Sequence, residues 1–216
     1  MKKFGILLLT ALMVFAYTTQ AQDANAKKIL EAMTSKYKSI SAFKANFAVE
    51  MHNPANDSKD TYKGEITVQG DKYHLDMAEQ EIYNNLTFVW TCLKEDGEVF
   101  EISKVEYEPD PEAMMSSITD VYTTWQKGFK YVMKENSNSY DVIQLNPEDL
   151  SLEYHSIILK IKKDHTLHSW EIFEKSGRKY TYIIQSFDDK IQVTDADFEC
   201  NPDDYPDAEL NDLTDF

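Results

Sequence analysis

The chain has only two cysteines and six glycines. Two cysteines cannot build the disulfide framework that holds small extracellular domains together, and at 216 residues the chain is long enough to bury a core without one. So few glycines, with no internal repeat, exclude a propeller or a solenoid. Positive charge is scarce as well: 22 Lys and Arg stand against 38 Asp and Glu, a formal net charge of -16. Nucleic acid and anionic membrane surfaces both require clustered basic side chains, so neither is a partner for this surface. The acidic balance suits a cationic patch on another protein, and equally serves solubility alone.

Catalytic signatures are missing too. There is no Gly-x-Ser-x-Gly elbow, no His-Glu-x-x-His, no phosphate-binding glycine loop and no Cys-x-x-Cys. Carboxylates are so abundant that no pair of them points to acid/base work. His165 and His168 lie three apart, which on a strand directs them to opposite faces and away from a shared metal. No catalytic residue, metal or cofactor is assigned, and the chain is not read as an enzyme.

Long hydrophobic runs are lacking except at the start. Met1-Lys2-Lys3, the apolar run "FGILLLTALMVFA" and the small-residue stretch "TTQA" have the layout of a signal peptide over residues 1–21, cleaved near Ala21. The run is shorter than the roughly 20 residues a membrane span needs. No cysteine follows the expected cut, so the expectation is export to a periplasm with Gln22 as the new N-terminus and no lipid anchor.

What the chain does have is alternation. After an amphipathic helix over Asp23 to Ser39, with Ile29, Leu30, Met33 and Tyr37 on one side, the stretch "SAFKANFAVEM" puts Phe43, Ala45, Phe47, Val49 and Met51 on one face of a strand. A hairpin follows, with Tyr62, Ile66 and Val68 before a turn at Gly70-Asp71 and Tyr73, Leu75 and Met77 after it. Turns at Asn84-Asn85 and Asp96-Gly97 frame a strand that sets Leu86, Phe88, Trp90 and Cys92 on one face. The pattern breaks at Asp110-Pro111, where a short helical insert carries Met114, Met115 and Ile118. Strands resume at "FKYVMK" and continue to a last one at "DADFEC", and the acidic tail beyond is expected to be loosely ordered. The sum is mainly β with α: about ten or eleven antiparallel strands, with one N-terminal helix and a short insert.

Cys92 and Cys200 each fall in an expected strand. An oxidising compartment would let them pair; a lone strand cysteine is otherwise a small buried apolar residue. The apolar inventory is open to two readings as well. Thirteen tyrosines, eleven phenylalanines, three tryptophans and eight methionines can fill an ordinary core, or line a cavity on a sheet that has too little helix to cover it.

In the order of its elements the chain resembles the LolA-type periplasmic carriers of outer-membrane lipoproteins. The resemblance runs from about Ala26 to Pro202. It rests on the helix leading into "SAFKANFAVEM", on "YKGEITV", on "FVWTCLKEDGEVFEI" with Trp90, on "DPEAMMSS", and on "DHTLHSWEIFEKSGRKYTYIIQSF" followed by "DADFEC" and a proline. It implies an incomplete, half-open antiparallel β-barrel over residues 22–202, with short lid helices over its concave face and residues 203–216 as a tail. It further implies a monomer that binds lipoprotein acyl chains, taken from an inner-membrane donor complex and given to an outer-membrane acceptor. The lipid-binding cavity would comprise Phe43, Phe47, Val49, Ile66, Val68, Tyr73, Leu75, Phe88 and Trp90, and the lid Met114, Met115 and Ile118. One departure stands out: where many members have a basic-Pro pair, this chain reads "VQGDKY", so no lid-latching Arg carries over. An alternative use of the same fold is an envelope sensor that binds lipidated or misfolded proteins; a third is a scaffold whose concave face is simply filled.

Overall fold

The structure, a computed structural model, describes residues 23–108 and 121–214. The expected signal peptide lies outside these residues. The helix α1 spans Ala24–Ser39. Asp23 caps it, accepting from the backbone N–H of Asn25 (2.9 Å) and Ala26 (3.1 Å) through Oδ1. Its Oδ2 accepts from the N–H of Met133 at 3.2 Å, so the cap also fastens the helix to a distant strand. Ala26, Leu30, Met33, Thr34 and Tyr37 form the buried stripe.

Twelve strands make one open sheet: β1 (Phe43–Asn53), β2 (Ser58–Gln69), β3 (Lys72–Met77), β4 (Gln80–Asn84), β5 (Phe88–Glu95), β6 (Glu98–Glu106), β7 (Phe129–Asn136), β8 (Tyr140–Pro147), β9 (Tyr154–Lys162), β10 (Leu167–Glu174), β11 (Lys179–Asp188) and β12 (Glu209–Asp212). Their spatial order is β12-β6-β5-β4-β3-β2-β1-β11-β10-β9-β8-β7. Two antiparallel meanders, β2 to β6 and β7 to β11, are therefore joined where β1 pairs with β2 on one side and β11 on the other. The sheet does not close into a barrel, and the half-open architecture expected from the sequence is the one observed. Its tight turns follow from local chemistry. Asp96 and Gly97 both take positive φ (52° and 86°), as a two-residue hairpin turn of right-handed twist requires. At the next turn Asn84 Oδ1 accepts from Leu86 N–H at 2.8 Å, and Leu86, with φ 70°, belongs to the turn and not to the following strand.

The end of the chain departs from expectation twice. "DADFEC" is no strand: Asp195–Phe198 is a single 3-10 turn, because the Asp197 carboxylate accepts from both the N–H (2.6 Å) and the hydroxyl (2.9 Å) of Thr194 and curls the chain. The acidic tail, in turn, supplies β12, which pairs in parallel with β6 from Glu209↔Glu101 to Asp212↔Lys104.

One face of the sheet, here the inner face, carries α1. Over the β7 to β11 half, Ile143, Leu145, Ile157, Leu159, Ile161 and Trp170 are buried in a cluster with Leu30 and Met33. Polar pins hold this cover down. Thr34 donates to the carbonyl of Tyr122 (2.6 Å) and accepts from Trp125 Nε1 (2.9 Å), and the Tyr37 hydroxyl accepts from Leu167 N–H at 3.1 Å. The Tyr37 ring stacks on Tyr122 with centroids 4.6 Å apart.

Gly64 sits opposite Phe47 in the β1–β2 ladder, and a Cβ there would lie 2.8 Å from both the Asp76 carbonyl oxygen and Phe47 Cζ. The carbonyl belongs to the β3 backbone and cannot step aside. Gly64→Ala should therefore destabilise the protein by about 1–3 kcal/mol, measured by denaturant unfolding; an unchanged midpoint would contradict this packing.

Candidate functional site

Directly paired residues in an antiparallel sheet share a face, so register decides which side chains can meet. Phe43 pairs with Val68, Val68 with Tyr73, Ile66 with Leu75, and Leu75 with Ile82. Across the seam Phe47 pairs with Ile184, Val49 with Tyr182 and Met51 with Tyr180. All of these belong to the inner face. Near β2, β3 and β4 no helix among the described residues covers them, and a cavity of about 400 Å³ opens there. Five residues of the expected set, Phe47, Val49, Ile66, Tyr73 and Leu75, line it. So do Tyr62, Met77, Gln80, Ile82, Tyr180 and Tyr182, which were not in the expected set. Tyr62 and Met77 continue the same alternation as Ile66 and Leu75 and could have been included on that ground. Tyr180 and Tyr182 reach the cavity only through the long-range β1–β11 pairing.

The cavity is apolar but not uniform. Phe47, Val49 and Ile66 form a buried floor (3%, 8% and 2% exposed), whereas Tyr62 at the mouth is 41% exposed. The Tyr182 ring is stacked on Trp170 (4.6 Å, 3°), and burial pushes its hydroxyl above the ordinary tyrosine range. Tyr62, Met77 and Gln80 also border a wider groove of about 850 Å³, whose other walls include Leu93, the exposed Phe100 and the polar Lys63, Glu79 and Lys94. An apolar chamber thus runs out to a rim with both charges. Nothing in this lining has the arrangement of an acid/base pair or a nucleophile; what it can do is take apolar matter out of water.

The remaining expected site residues lie elsewhere. Phe43 and Val68 share the inner face but border a separate recess of about 210 Å³ beside Tyr37 and Tyr122. Phe88 and Trp90 require correction. Trp90 pairs with Tyr83 and Tyr83 with His74, a row that belongs to the outer face. There Trp90, Cys92, Ile102 and Cys200 form a second buried cluster, with Phe88, Tyr83 and Tyr205 against it. Alternation correctly put Phe88, Trp90 and Cys92 together, but it cannot say which face is which, and the C-terminal segment covers this row from outside. The lid positions Met114, Met115 and Ile118 lie outside the described residues.

Beside the outer cluster runs a charged network. Lys94 Nζ contacts Asp76 Oδ1 (2.5 Å) and Glu81 Oε1 (3.1 Å), while the Tyr83 hydroxyl donates to Glu81 Oε2 at 2.6 Å. Burial pushes the Glu81 carboxyl up, but the Tyr83 and Lys94 hydrogen bonds outweigh it and hold the group below its ordinary range. His74 stacks on Tyr83 (4.0 Å), and burial lowers its pKa despite the neighbouring carboxylates. This network packs the outer face and does not touch the cavity.

A half-open antiparallel sheet, with one helix among the described residues over part of its inner face and an apolar chamber beside it, defines the class of open half-barrel folds. The sequence profile of the outer membrane lipoprotein carrier protein LolA matches residues 38–201, and the chain belongs to that family. Solved structures similar to it include a LolA superfamily protein from Nitrosomonas europaea (14% identity, 81% of this chain and 97% of that one, TM-score 0.43). Also similar are the lipoprotein LppX from Mycobacterium tuberculosis (10%, 80% and 100%, TM-score 0.48) and LprF from Mycobacterium bovis (11%, 80% and 97%, TM-score 0.46). Among curated protein sequences none matches the chain.

The face assignment has a direct consequence. Trp90→Ala should cost about 3–5 kcal/mol of stability, as for other large core truncations, yet leave binding of an apolar fluorescent probe in the Leu75 cavity unchanged in the folded protein. Loss of probe binding without loss of stability would return Trp90 to the cavity side.

Proposed function

We propose that this protein carries the acyl chains of lipoproteins through the periplasm, from an inner-membrane donor complex to an outer-membrane acceptor, with the Leu75 cavity as the acyl site. The observation that supports this reading is the part of the inner face that no helix among the described residues covers, where Phe47, Val49, Ile66, Tyr73 and Leu75 surround about 400 Å³ that the described side chains leave unfilled. Burying a methylene is worth about 0.8 kcal/mol, so an acyl chain of roughly 14 methylenes left in water would cost on the order of 11 kcal/mol. A carrier has to enclose nearly all of it. Tyrosine faces and the flexible Met77 can do so without demanding one lipid shape. The rim of Lys63 and Glu79 suits the polar part of a lipidated N-terminus, which remains in water. Met114, Met115 and Ile118 fit the role of a lid over the chamber, one that would close without an Arg latch. Transfer in this scheme is a partition between apolar sites, needs no covalent step, and is carried out by a monomer.

Leu75→Glu tests it. Leu75 is only partly buried, so a carboxylate there can reach water and the fold should keep its unfolding midpoint. Among hydrocarbon the ionised group is strongly disfavoured, and affinity for a fluorescent acyl chain should fall at least about tenfold. An apolar surrounding raises a carboxyl pKa, so the lost affinity should partly return as the pH is lowered and the group takes up a proton. Absence of acyl binding by the unaltered protein, together with unfolding of the variant, would show a filled core in place of a ligand chamber.

A further inference from the structure

We infer that Cys92 and Cys200 form a disulfide in the working protein, and that this bond straps the C-terminal segment across the outer face of the sheet. The inference does not rest on acyl carriage. The two Sγ atoms stand 3.2 Å apart although 108 residues separate them in the chain. They are the chain's only cysteines, so no other internal pairing competes. Both are buried, Cys92 completely and Cys200 to within 5%. Bond formation asks the sulfurs to close from this contact to about 2.05 Å.

The surroundings deliver Cys200 to this place by three independent contacts. Lys72 Nζ binds Asp195 Oδ1 at 2.7 Å, Asn85 Nδ2 donates to Glu199 Oε1 at 2.9 Å, and Tyr205 packs against the Trp90 and Cys92 cluster. The two thiols are not equivalent. Cys92 donates its S–H to Cys200, and the hydrogen bond that raises the Cys92 pKa lowers that of Cys200. That contact exists only in the seated segment, whereas oxidation starts by exchange with an oxidising dithiol/disulfide protein. The thiolate of either cysteine attacks one sulfur of that partner's disulfide and releases the other as a thiolate. The second cysteine, having given up its proton, then attacks the sulfur of the first and expels the remaining partner sulfur. Two electrons pass to the partner, which leaves as a dithiol carrying the two protons. Since both sulfurs are buried once the segment is seated, exchange belongs to the stage before it docks.

The strap has work to do beyond Cys200. β12 is four residues long and pairs with β6 alone, too little to hold by itself. Anchoring Cys200 keeps residues 209–212 at high effective concentration beside that edge. β12 in turn covers β6, whose unpaired edge would otherwise be open to strands of other molecules.

The test uses the full chain, equilibrated with equal concentrations of reduced and oxidised glutathione, then acid-quenched, unfolded and alkylated for mass analysis. The expected product is unalkylated and lacks two hydrogens. Its reduction should lower Tm by roughly 5–10 °C and speed chymotryptic cleavage after Tyr205, Leu210 or Leu213 at least about tenfold. Cys92→Ala and Cys200→Ser should each match the reduced protein and lose all response to reductant. Two alkylated thiols, or a glutathione adduct on either cysteine, would overturn the disulfide. Equal Tm and equal cleavage of the oxidised and reduced forms would overturn the strap.

Discussion

The pairing of β1 with β11, from Lys44↔Asp188 to His52↔Lys179, is the contact on which the rest of the molecule depends. Without it there are two separate meanders, each with an extra open edge and half a core. With it, β1 becomes a central strand, and its alternate residues Phe43, Ala45, Phe47 and Val49 serve both halves of the inner face. The register shift at Asn46/Phe47 adds an irregularity at the seam. Such shifts increase local twist and bend a sheet, which is what a half-barrel requires there.

A second constraint follows from size. Strands lie about 4.8 Å apart, so twelve of them in one sheet extend over roughly 53 Å. α1 has 16 residues and is about 24 Å long. One helix cannot cover such a face, and Asp23, Thr34 and Tyr37 commit it to the β7 to β11 half. The opposite half keeps apolar side chains on its inner face with nothing of comparable size above them among the described residues. The cavity is in this sense the remainder of an incomplete two-layer packing. On the outer face the same half is covered by the C-terminal segment, so among the described residues its apolar rows are treated differently on the two sides: filled outside, left hollow inside.

Much of this was legible in the sequence. Helical spacing located α1, and period-2 alternation with the Gly70, Asn85 and Gly97 turns located β1 to β6. Phe47, Val49, Ile66, Tyr73 and Leu75 were grouped correctly because they sit on adjacent hairpin strands, joined by a four-residue loop between β1 and β2 and a two-residue turn between β2 and β3. Long-range decisions were not legible. No local signal says that β11 returns to β1, which is why Tyr180 and Tyr182 were missed. None says that residues 195–208 fold back over Trp90, which is why Phe88 and Trp90 were assigned to the wrong face. The Thr194–Asp197 hydrogen bonds likewise turned an apparent strand into a 3-10 turn, since a side chain competing for the backbone outweighs alternation over six residues.

The central claim is that the hollow half of the inner face holds acyl chains. The most direct measurement is native mass spectrometry of the protein purified without detergent. The account predicts a population heavier than the bare chain by the mass of an acylated lipid or lipopeptide, with the added mass lost on organic extraction and the fold retained. A single species at the bare mass, unchanged by extraction and by incubation with acylated peptide, would contradict it.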